Sequence, residues 1–581
     1  MMTGAEILID ALKREGVDTI FGYPGGVVLS IFDVLFRTPE IRLVLTRHEQ
    51  AAAHAADGYA RATGRTGVCL VTSGPGATNT ITGLANAKLD SIPMVLISGQ
   101  VRTESIGSDA FQETDMAGLT RPICKHSYLV QRVKDLPQII RNSFHIARSG
   151  RPGPVALDLP ADVAMASLDS YVYPENADLP SYQTPGRGSA GQIRKLASAI
   201  RRAERPMVLA GGGIISSGAC DELARFLDKT RIPVATTLMG LGCVSDRNEL
   251  FLGMPGMHGR VSANNALMEC DLLIGLGTRF DDRVTGVLDT FAAKAVICHV
   301  DIDPSEIGKN LRTQIPIVGD VKSVLADLIE AVEPRPADGW NRAVRDWAER
   351  HPLSYAQDPN GEILPQFVIE RVGRRAPDDA IIATDVGQHQ MWAALYLRHR
   401  RPRAFLSSGG MGTMGFGLPA AMGASLGCPG RTVAVISGDG SIQMNIQELA
   451  TCSLNRIPVK IIVLNNSCLG MVRQWQELFY DGNFSKTCLK ERPECRASCP
   501  GHRPDCPNAF WPDFVRLAEA NGMPGFRASR PAEVDDVLEC GFGTDGPALM
   551  EFRVRKTENV FPMVPGGKPI NHILLGGGTA P

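Results

Sequence analysis

Two segments far apart in the chain follow one pattern. GVCLVTSGPGATNTITGLANAKLDSIPMVLIS (67–98) and TVAVISGDGSIQMNIQELATCSLNRIPVKIIVL (432–464) each pass from an unbroken apolar run through a glycine loop and a helix-length stretch. Each then reaches an Ile-Pro pair, Ile92-Pro93 and Ile457-Pro458, and a second apolar run. Short runs that are apolar at every position read as strands buried on both faces, and a helix between two of them makes a parallel βαβ unit. The fold class is therefore α/β, and the recurrence predicts two related parallel-sheet domains. At 581 residues the chain is too long for one core and suits about three domains. Proline- and glycine-rich stretches near 171–191 and 333–340 divide it into thirds. The middle third has its own strands, PMVLAGGGI, PVATTLMGLG, CDLLIGLGTRF and AVICHVDID, most of them ending in glycine or small polar residues, as in a nucleotide-type crevice. Gly211-Gly212-Gly213 lacks the full dinucleotide spacing, which leaves a nicotinamide enzyme open on pattern alone.

In the second copy, Asp439 and Asn466 end successive apolar runs, with helical spacing predicted over Ile442–Leu454 between them. Both side chains should then emerge at the carboxyl ends of neighbouring strands, where open parallel sheets bind ligands. A helix starting after Gly440 would offer unpaired N–H groups to an anion. A carboxylate and an amide oxygen beside such a helix suit magnesium diphosphate, since magnesium takes about six oxygens and keeps several from phosphate or water. In the first third, between the apolar run RLVLT and QAAAHAADGYARATG, Arg47-His48-Glu49 opens a predicted helix, which by itself explains an acid at a helix N-terminus.

A net charge of −2 gives no electrostatic reason to expect nucleic acid or an anionic membrane as partner. The opening MMTGAEILIDALKREG lacks a long apolar core, so neither a secretion signal nor a membrane span is expected, and a cytoplasmic location is. Most of the 14 cysteines are isolated in apolar or helical surroundings. Cys488, Cys495, Cys499 and Cys506 instead crowd one basic, proline-rich segment at C-x6-C-x3-C-x6-C spacing, which fits a structural metal or redox clasp or a reduced surface loop.

Through FGYPGG, RHEQAAAHAADGYARATG, TSGPGATN, SIPMVLISGQV, DAFQETD, KHSYLV, GRPGPVALDLP, GTRFDDRVTG, DIDPSEIGKN, GTMGFGLPAA, GDGS, LNNSCLGMVRQWQ and ENVFPMVP, nearly the whole chain resembles the thiamine diphosphate-dependent enzymes, and among them the acetohydroxyacid synthase family. The resemblance implies a pyrimidine-binding domain over 1–170, a Rossmann-like FAD-binding domain over 190–335, and a diphosphate- and Mg2+-binding domain over 365–555. A cysteine-rich insert at 488–510 and a tail at 556–581 complete the division. It implies decarboxylation of pyruvate and transfer of the two-carbon unit to a second 2-ketoacid, pyruvate or 2-ketobutyrate, the first common step of branched-chain amino-acid biosynthesis. The partners implied are a second or further copies, as homodimer or homotetramer, and a regulatory small subunit.

Position by position, the resemblance makes Glu49 the catalytic carboxylate that holds the cofactor's aminopyrimidine in its imino form, with Gln112 and Lys125 also at the catalytic site. Pro75, Asn79, Val386, Gly387, Gln388, His389, Gly412, Met414, Gly438, Gly440, Ser441 and Met471 would contact thiamine diphosphate, Gly412 through its carbonyl and Met414 by propping the cofactor bent. Asp439, Asn466 and the carbonyl of Cys468 would hold Mg2+. FAD would fall to Gly211, Gly212, Gly213, Thr236, Leu238, Met239, Gly256, Met257, His258, Gly277, Arg279, Asp281, Arg283, Asp301 and Asp320. Phe111, Arg283 and Trp475 would shape the second substrate's pocket, Arg283 by pairing with its carboxylate. The chain departs from the family at Ala161, where many members carry a basic residue. A flavin-dependent pyruvate oxidase-type enzyme shares all three domains and is the nearest rival, beside other thiamine diphosphate-dependent 2-ketoacid decarboxylases. The intact Glu49, Asp439 and Asn466 count against a regulatory protein without chemistry.

Overall fold

The computed structural model describes residues 1–337, 339–491, 495 and 512–576. Its first and third parts each carry a six-stranded sheet, parallel throughout. In the first, the strands lie in the order Arg42–Leu45, Thr19–Tyr23, Gly67–Val71, Met94–Gln100, Pro154–Pro160, His126–Leu129. In the third the order is Phe405–Leu406, Ile381–Thr384, Val433–Gly438, Val459–Asn465, Ala548–Arg553, Gly525–Ala528. Counted along the chain, both sheets run second, first, third, fourth, sixth, fifth, and the two repeated segments supply the third and fourth strands of each. Central strands of this kind need apolar side chains on both faces, and Val433, Ala434, Val435 and Ile436 are all fully buried.

The middle part is a five-stranded parallel sheet in the order Val234–Thr236, Pro206–Ala210, Leu272–Leu276, Val296–Asp301, Ile315–Val318. The four expected strands are present. The fifth was not anticipated, because it is four residues long and contains Pro316; it sits at the sheet edge, where a missing N–H is tolerated.

Between strands Val433–Gly438 and Val459–Asn465 the expected helix over Ile442–Leu454 is divided. An α-turn over Asp439–Ile442 passes through a 3-10 stretch, Gln443–Asn445, before α-helix resumes at Glu448–Leu454. Asn445 is drawn inward there, its Nδ2 donating to the Gly415 carbonyl at 2.7 Å, a long-range bond that apolar spacing does not reveal.

The helix Glu49–Thr63 fastens the first domain to the third. It begins where His48 Nδ1 accepts from Gln50 N at 3.1 Å and ends at Gly64, whose φ of +76° suits a C-cap. Its face of small residues lies backbone to backbone against helix Gly417–Gly427. A Cβ at Gly58 would stand 2.2 Å from the Ala420 carbonyl oxygen, and one at Gly423 would stand 1.9 Å from that of Ala55. No helix among the described residues is long and apolar enough to cross a membrane.

Candidate active site

Parallel register brings Gly438 opposite Leu464, so Asp439 and Asn466 leave adjacent strands at the same end of the sheet. Asp439 is buried and its Oδ2 has no hydrogen-bond partner. Burial pushes this carboxyl up to about 7. An unpaired buried carboxylate oxygen is costly unless a cation or donor meets it, and this one fits a divalent metal. The Asn466 side chain turns beside it, Oδ1 accepting from Cys468 N at 3.1 Å and Nδ2 lying 3.4 Å from Gln388 Oε1. The turn is fixed from behind: Asn465 Oδ1 accepts from Ser467 N at 3.1 Å, and Asn465 Nδ2 donates to buried Glu551 at 2.7 Å. Ser467 takes a φ of +59° within it.

Gly387, at φ +149°, caps helix Gln388–Tyr396, which points its first turn at this group. Gly438 packs on the His389 ring, where a Cβ would stand 2.9 Å from Nδ1, while His389 Nε2 is buried and unpaired. Burial lowers this histidine to about 3, so the ring is neutral. Ser441 is buried at the same turn, and a Cβ on Gly440 would come within 4.0 Å of the Met414 methyl. Val386, Gly387, Gln388, His389, Met414, Gly438, Asp439, Gly440, Ser441 and Asn466 thus form one group around the ends of three strands.

Asp385, which the sequence reading passed over, organises that group. Its carboxylate accepts from Gly415 N at 2.8 Å, Val386 N at 3.0 Å and Ser437 Oγ at 3.2 Å, and burial pushes it up to about 6. The available signal was a carboxylate ending the apolar strand IIAT, the same signal that marks Asp439.

A cavity of about 760 Å³ opens beside the group and reaches into the middle domain. Val386, Gly387, Gly412, Met471 and Trp475 line one end, and Gly212, Gly213, Leu238, Met239, Met257, His258, Gly277, Arg279, Asp281, Arg283, Asp301 and Asp320 are among the residues lining the rest, as are Arg61, Asp90 and Ser408. Arg283 and Trp475 therefore share one space. Gly211 and Gly213 cross Gly277 so tightly that added Cβ atoms would stand 2.2 Å from its carbonyl oxygen and 2.6 Å from its Cα. Thr236 Oγ1 and His258 Nδ1 are buried without partners, and burial lowers His258 to about 4 and raises Asp301 to about 6. Gly256 N donates to Asn264 Oδ1 at 2.7 Å, and Asp320 caps a helix through Lys322 N at 3.0 Å and Ser323 N at 3.1 Å. Those two positions hold backbone in place.

Glu49 is not among the residues lining this cavity. It opens its helix, and its Oε2 accepts from Asn79 Nδ2 at 2.9 Å. Pro75 opens the short helix preceding Asn79, and Thr72 Oγ1 and Ser73 Oγ lie buried and unpaired at the adjoining strand end. Arg61, on the same helix as Glu49 and twelve residues on, does line the cavity, so about 18 Å of helix separates the two ends. Gln112 (φ +60°) and Phe111, 89 % exposed, lie on the Glu49 side, where a Cβ on Gly74 would stand 2.9 Å from Gln112 Cβ.

Lys125 reaches neither group. Its ammonium donates to the carbonyls of Ile146 at 2.5 Å and Ser149 at 2.7 Å and to the Tyr182 hydroxyl at 3.0 Å, at the end of helix Leu136–Arg148. Burial lowers it to about 8. Of the crowded cysteines, Cys488 pairs across a single antiparallel bridge with Cys468, while Cys499 and Cys506 lie outside the described residues. Among the described residues no group of three or more His, Cys, Asp or Glu could hold a metal.

Three family models match the chain: Thiamine pyrophosphate enzyme, N-terminal TPP binding domain, over residues 2–119; central domain, over 193–328; and C-terminal TPP binding domain, over 385–552. The chain is 47 % identical to an acetolactate synthase of Mycobacterium bovis, covering all of this chain and 92 % of that protein. It is 45 % identical to the acetolactate synthase large subunit of Corynebacterium glutamicum, over 100 % of this chain and 91 % of the relative. To that of Haemophilus influenzae it is 44 % identical, over 99 % and 98 %. With all three domain models in order and full-length relatives at these identities, the chain belongs to the thiamine pyrophosphate enzymes, in the group of acetolactate synthase large subunits.

Proposed function

We propose that the chain is the catalytic subunit of an acetolactate synthase, which decarboxylates pyruvate and joins the remaining two carbons to a second 2-ketoacid, pyruvate or 2-ketobutyrate. The observation that carries this reading is the buried, unpaired Asp439 Oδ2 beside Asn466 at adjacent strand ends. Asp439, Asn466 and the Cys468 carbonyl would hold Mg2+, and the helix opened by Gly387, with His389 Nε2 and Ser441, would receive the diphosphate. Thiamine diphosphate, when bound, supplies the electron sink for decarboxylation. Glu49, kept in place by Asn79, would hold a proton against the cofactor's ring nitrogen; Gly412 and Met414 would fix the ring's angle, so that reacting atoms start close together. Arg283 would pair with the carboxylate of the second ketoacid while the Trp475 ring excludes water from it. FAD would occupy the middle-domain part of the cavity, whose wall includes His258 with its buried, unpaired Nδ1.

The distance along the Glu49 helix supports a shared site. Glu49 of one subunit would serve the metal group of another, which makes at least a dimer the working unit. The large-subunit relatives also support a regulatory small subunit as partner. Incubating the purified protein with Mg2+, thiamine diphosphate and pyruvate, with and without 2-ketobutyrate, tests the reading. Acetolactate, and acetohydroxybutyrate when 2-ketobutyrate is added, are expected. Acetate or acetyl phosphate formed with uptake of oxygen would overturn it in favour of the oxidase.

A further inference from the structure

A buried ion network ties the far end of the Glu49 helix to the loop Ser407–Thr413. Arg61, Asp57 and Asp90 have side chains exposed by 4 %, 0 % and 0 %. Arg61 Nε is bonded to Asp57, its Nη2 donates to Asp90 Oδ2 at 2.8 Å, and its Nη1 donates to the Ser407 carbonyl at 2.8 Å. Asp90 in turn accepts two backbone donors from the loop: Gly409 N at 3.0 Å on Oδ2 and Gly410 N at 2.7 Å on Oδ1. Asn86, four residues earlier on the same helix, accepts from Ser408 Oγ at 2.5 Å and Thr413 Oγ1 at 3.1 Å, and donates to Asp57 Oδ2 at 2.9 Å.

The loop so held is Gly409-Gly410-Met411-Gly412, exposed at its last three residues. Three glycines in four positions leave such a segment without a preferred conformation of its own. A buried ion pair is weak evidence for stability, since well-packed apolar residues of the same volume often serve as well or better. What apolar residues cannot supply is two acceptor oxygens aimed at successive N–H groups. We propose that Asp90, oriented by Arg61, is a positioning residue that presets the Gly409–Gly412 loop so that the Gly412 carbonyl meets thiamine diphosphate in place. This rests on the cofactor reading above.

The Asp90→Asn variant tests it, because asparagine keeps the volume but replaces one acceptor by an N–H2 that faces a donor. In the cofactor-free full-length protein, hydrogen exchange at the amides of residues 409–412 should quicken by a larger factor than exchange in strand Val433–Gly438, beyond what the loss of one buried partner of Arg61 takes from the thermal midpoint. The dissociation constant for Mg2+–thiamine diphosphate should rise roughly 10- to 100-fold, the range for losing a hydrogen bond to a charged group. With saturating cofactor kcat should stay within about threefold of the parent. Ser408→Ala, which removes one of the two bonds from the loop to Asn86 without touching a charge, should shift exchange and affinity in the same direction. Parent-like exchange and affinity in Asp90→Asn would overturn the proposal, and so would exchange that quickens equally throughout the chain in both variants. Failure of the parent itself to bind thiamine diphosphate would defeat the cofactor reading alone, with exchange at 409–412 still deciding whether Asp90 sets the loop.

Discussion

Replacing Asp439 by asparagine should stabilise the metal-free chain while removing its affinity for the cofactor. The displacement of this carboxyl from an ordinary 3.8 to about 7 is worth ~4 kcal/mol against the ionised form. Relaxation and water entry around the charge absorb part of that, leaving ~1–3 kcal/mol for the neutral amide to regain. The folded-state value lies above the unfolded one, so the folded chain holds this proton more tightly. Its contribution to stability is full below about 3.8 and is lost as pH rises to about 7. The variant has no such loss. Thermal unfolding in chelator should therefore show parent and variant converging near pH 4, with the variant melting about 2–6 °C higher at pH 8. Calorimetric titration with Mg2+–thiamine diphosphate at pH 8 should give binding for the parent and none for the variant. A variant less stable than the parent at pH 8, or one that still binds the cofactor, would refute the reasoning that Asp439 is a strained site for a cation.

Glu49→Gln should retain cofactor binding yet slow product formation by roughly 10²–10⁴, with proton exchange at the thiazolium carbon of bound cofactor slowed in parallel; near-parent rates would remove Glu49 from proton transfer. The purified protein should contain FAD whose absorbance is not bleached at the rate of pyruvate turnover, and bleaching at that rate would favour an oxidase. Gly423→Ala should weaken the packing between the first and third domains, because its new methyl meets the Ala55 carbonyl oxygen at 1.9 Å. A fall in the thermal midpoint checks this, and an unchanged midpoint would mean that the two helices separate without penalty.

The paired strand ends of Asp439 and Asn466 were legible in the sequence because short runs apolar at every position mark strands buried on both faces, and the first polar residues after such runs mark where the strands end. The repeat was legible for the same reason, and it reappears as one strand order in two sheets. The middle edge strand was hidden by its length and by Pro316. The break in the helix at Gln443–Asn445 was hidden because it depends on the Gly415 carbonyl, thirty residues away along the chain. Asp90 is the last residue of helix Ile81–Asp90. Its partners, Gly409 and Gly410, lie more than three hundred residues on, and no local pattern carries that information. Nor could spacing tell that the Glu49 helix turns its Glu49 end away from the cavity, since that follows from how Gly58 and Gly423 let two domains meet.

In the proposed shared site, Glu49 and the Asp439 group act on one cofactor from different subunits. Glu49→Gln and Asp439→Ala homo-oligomers, each inactive, should be mixed under conditions where subunit exchange is verified by mass, and acetolactate formation measured. A mixed dimer would hold one intact site and one doubly altered site, so random exchange of equal amounts should restore roughly a quarter of the parent's activity. Verified exchange with no recovery would contradict the shared site.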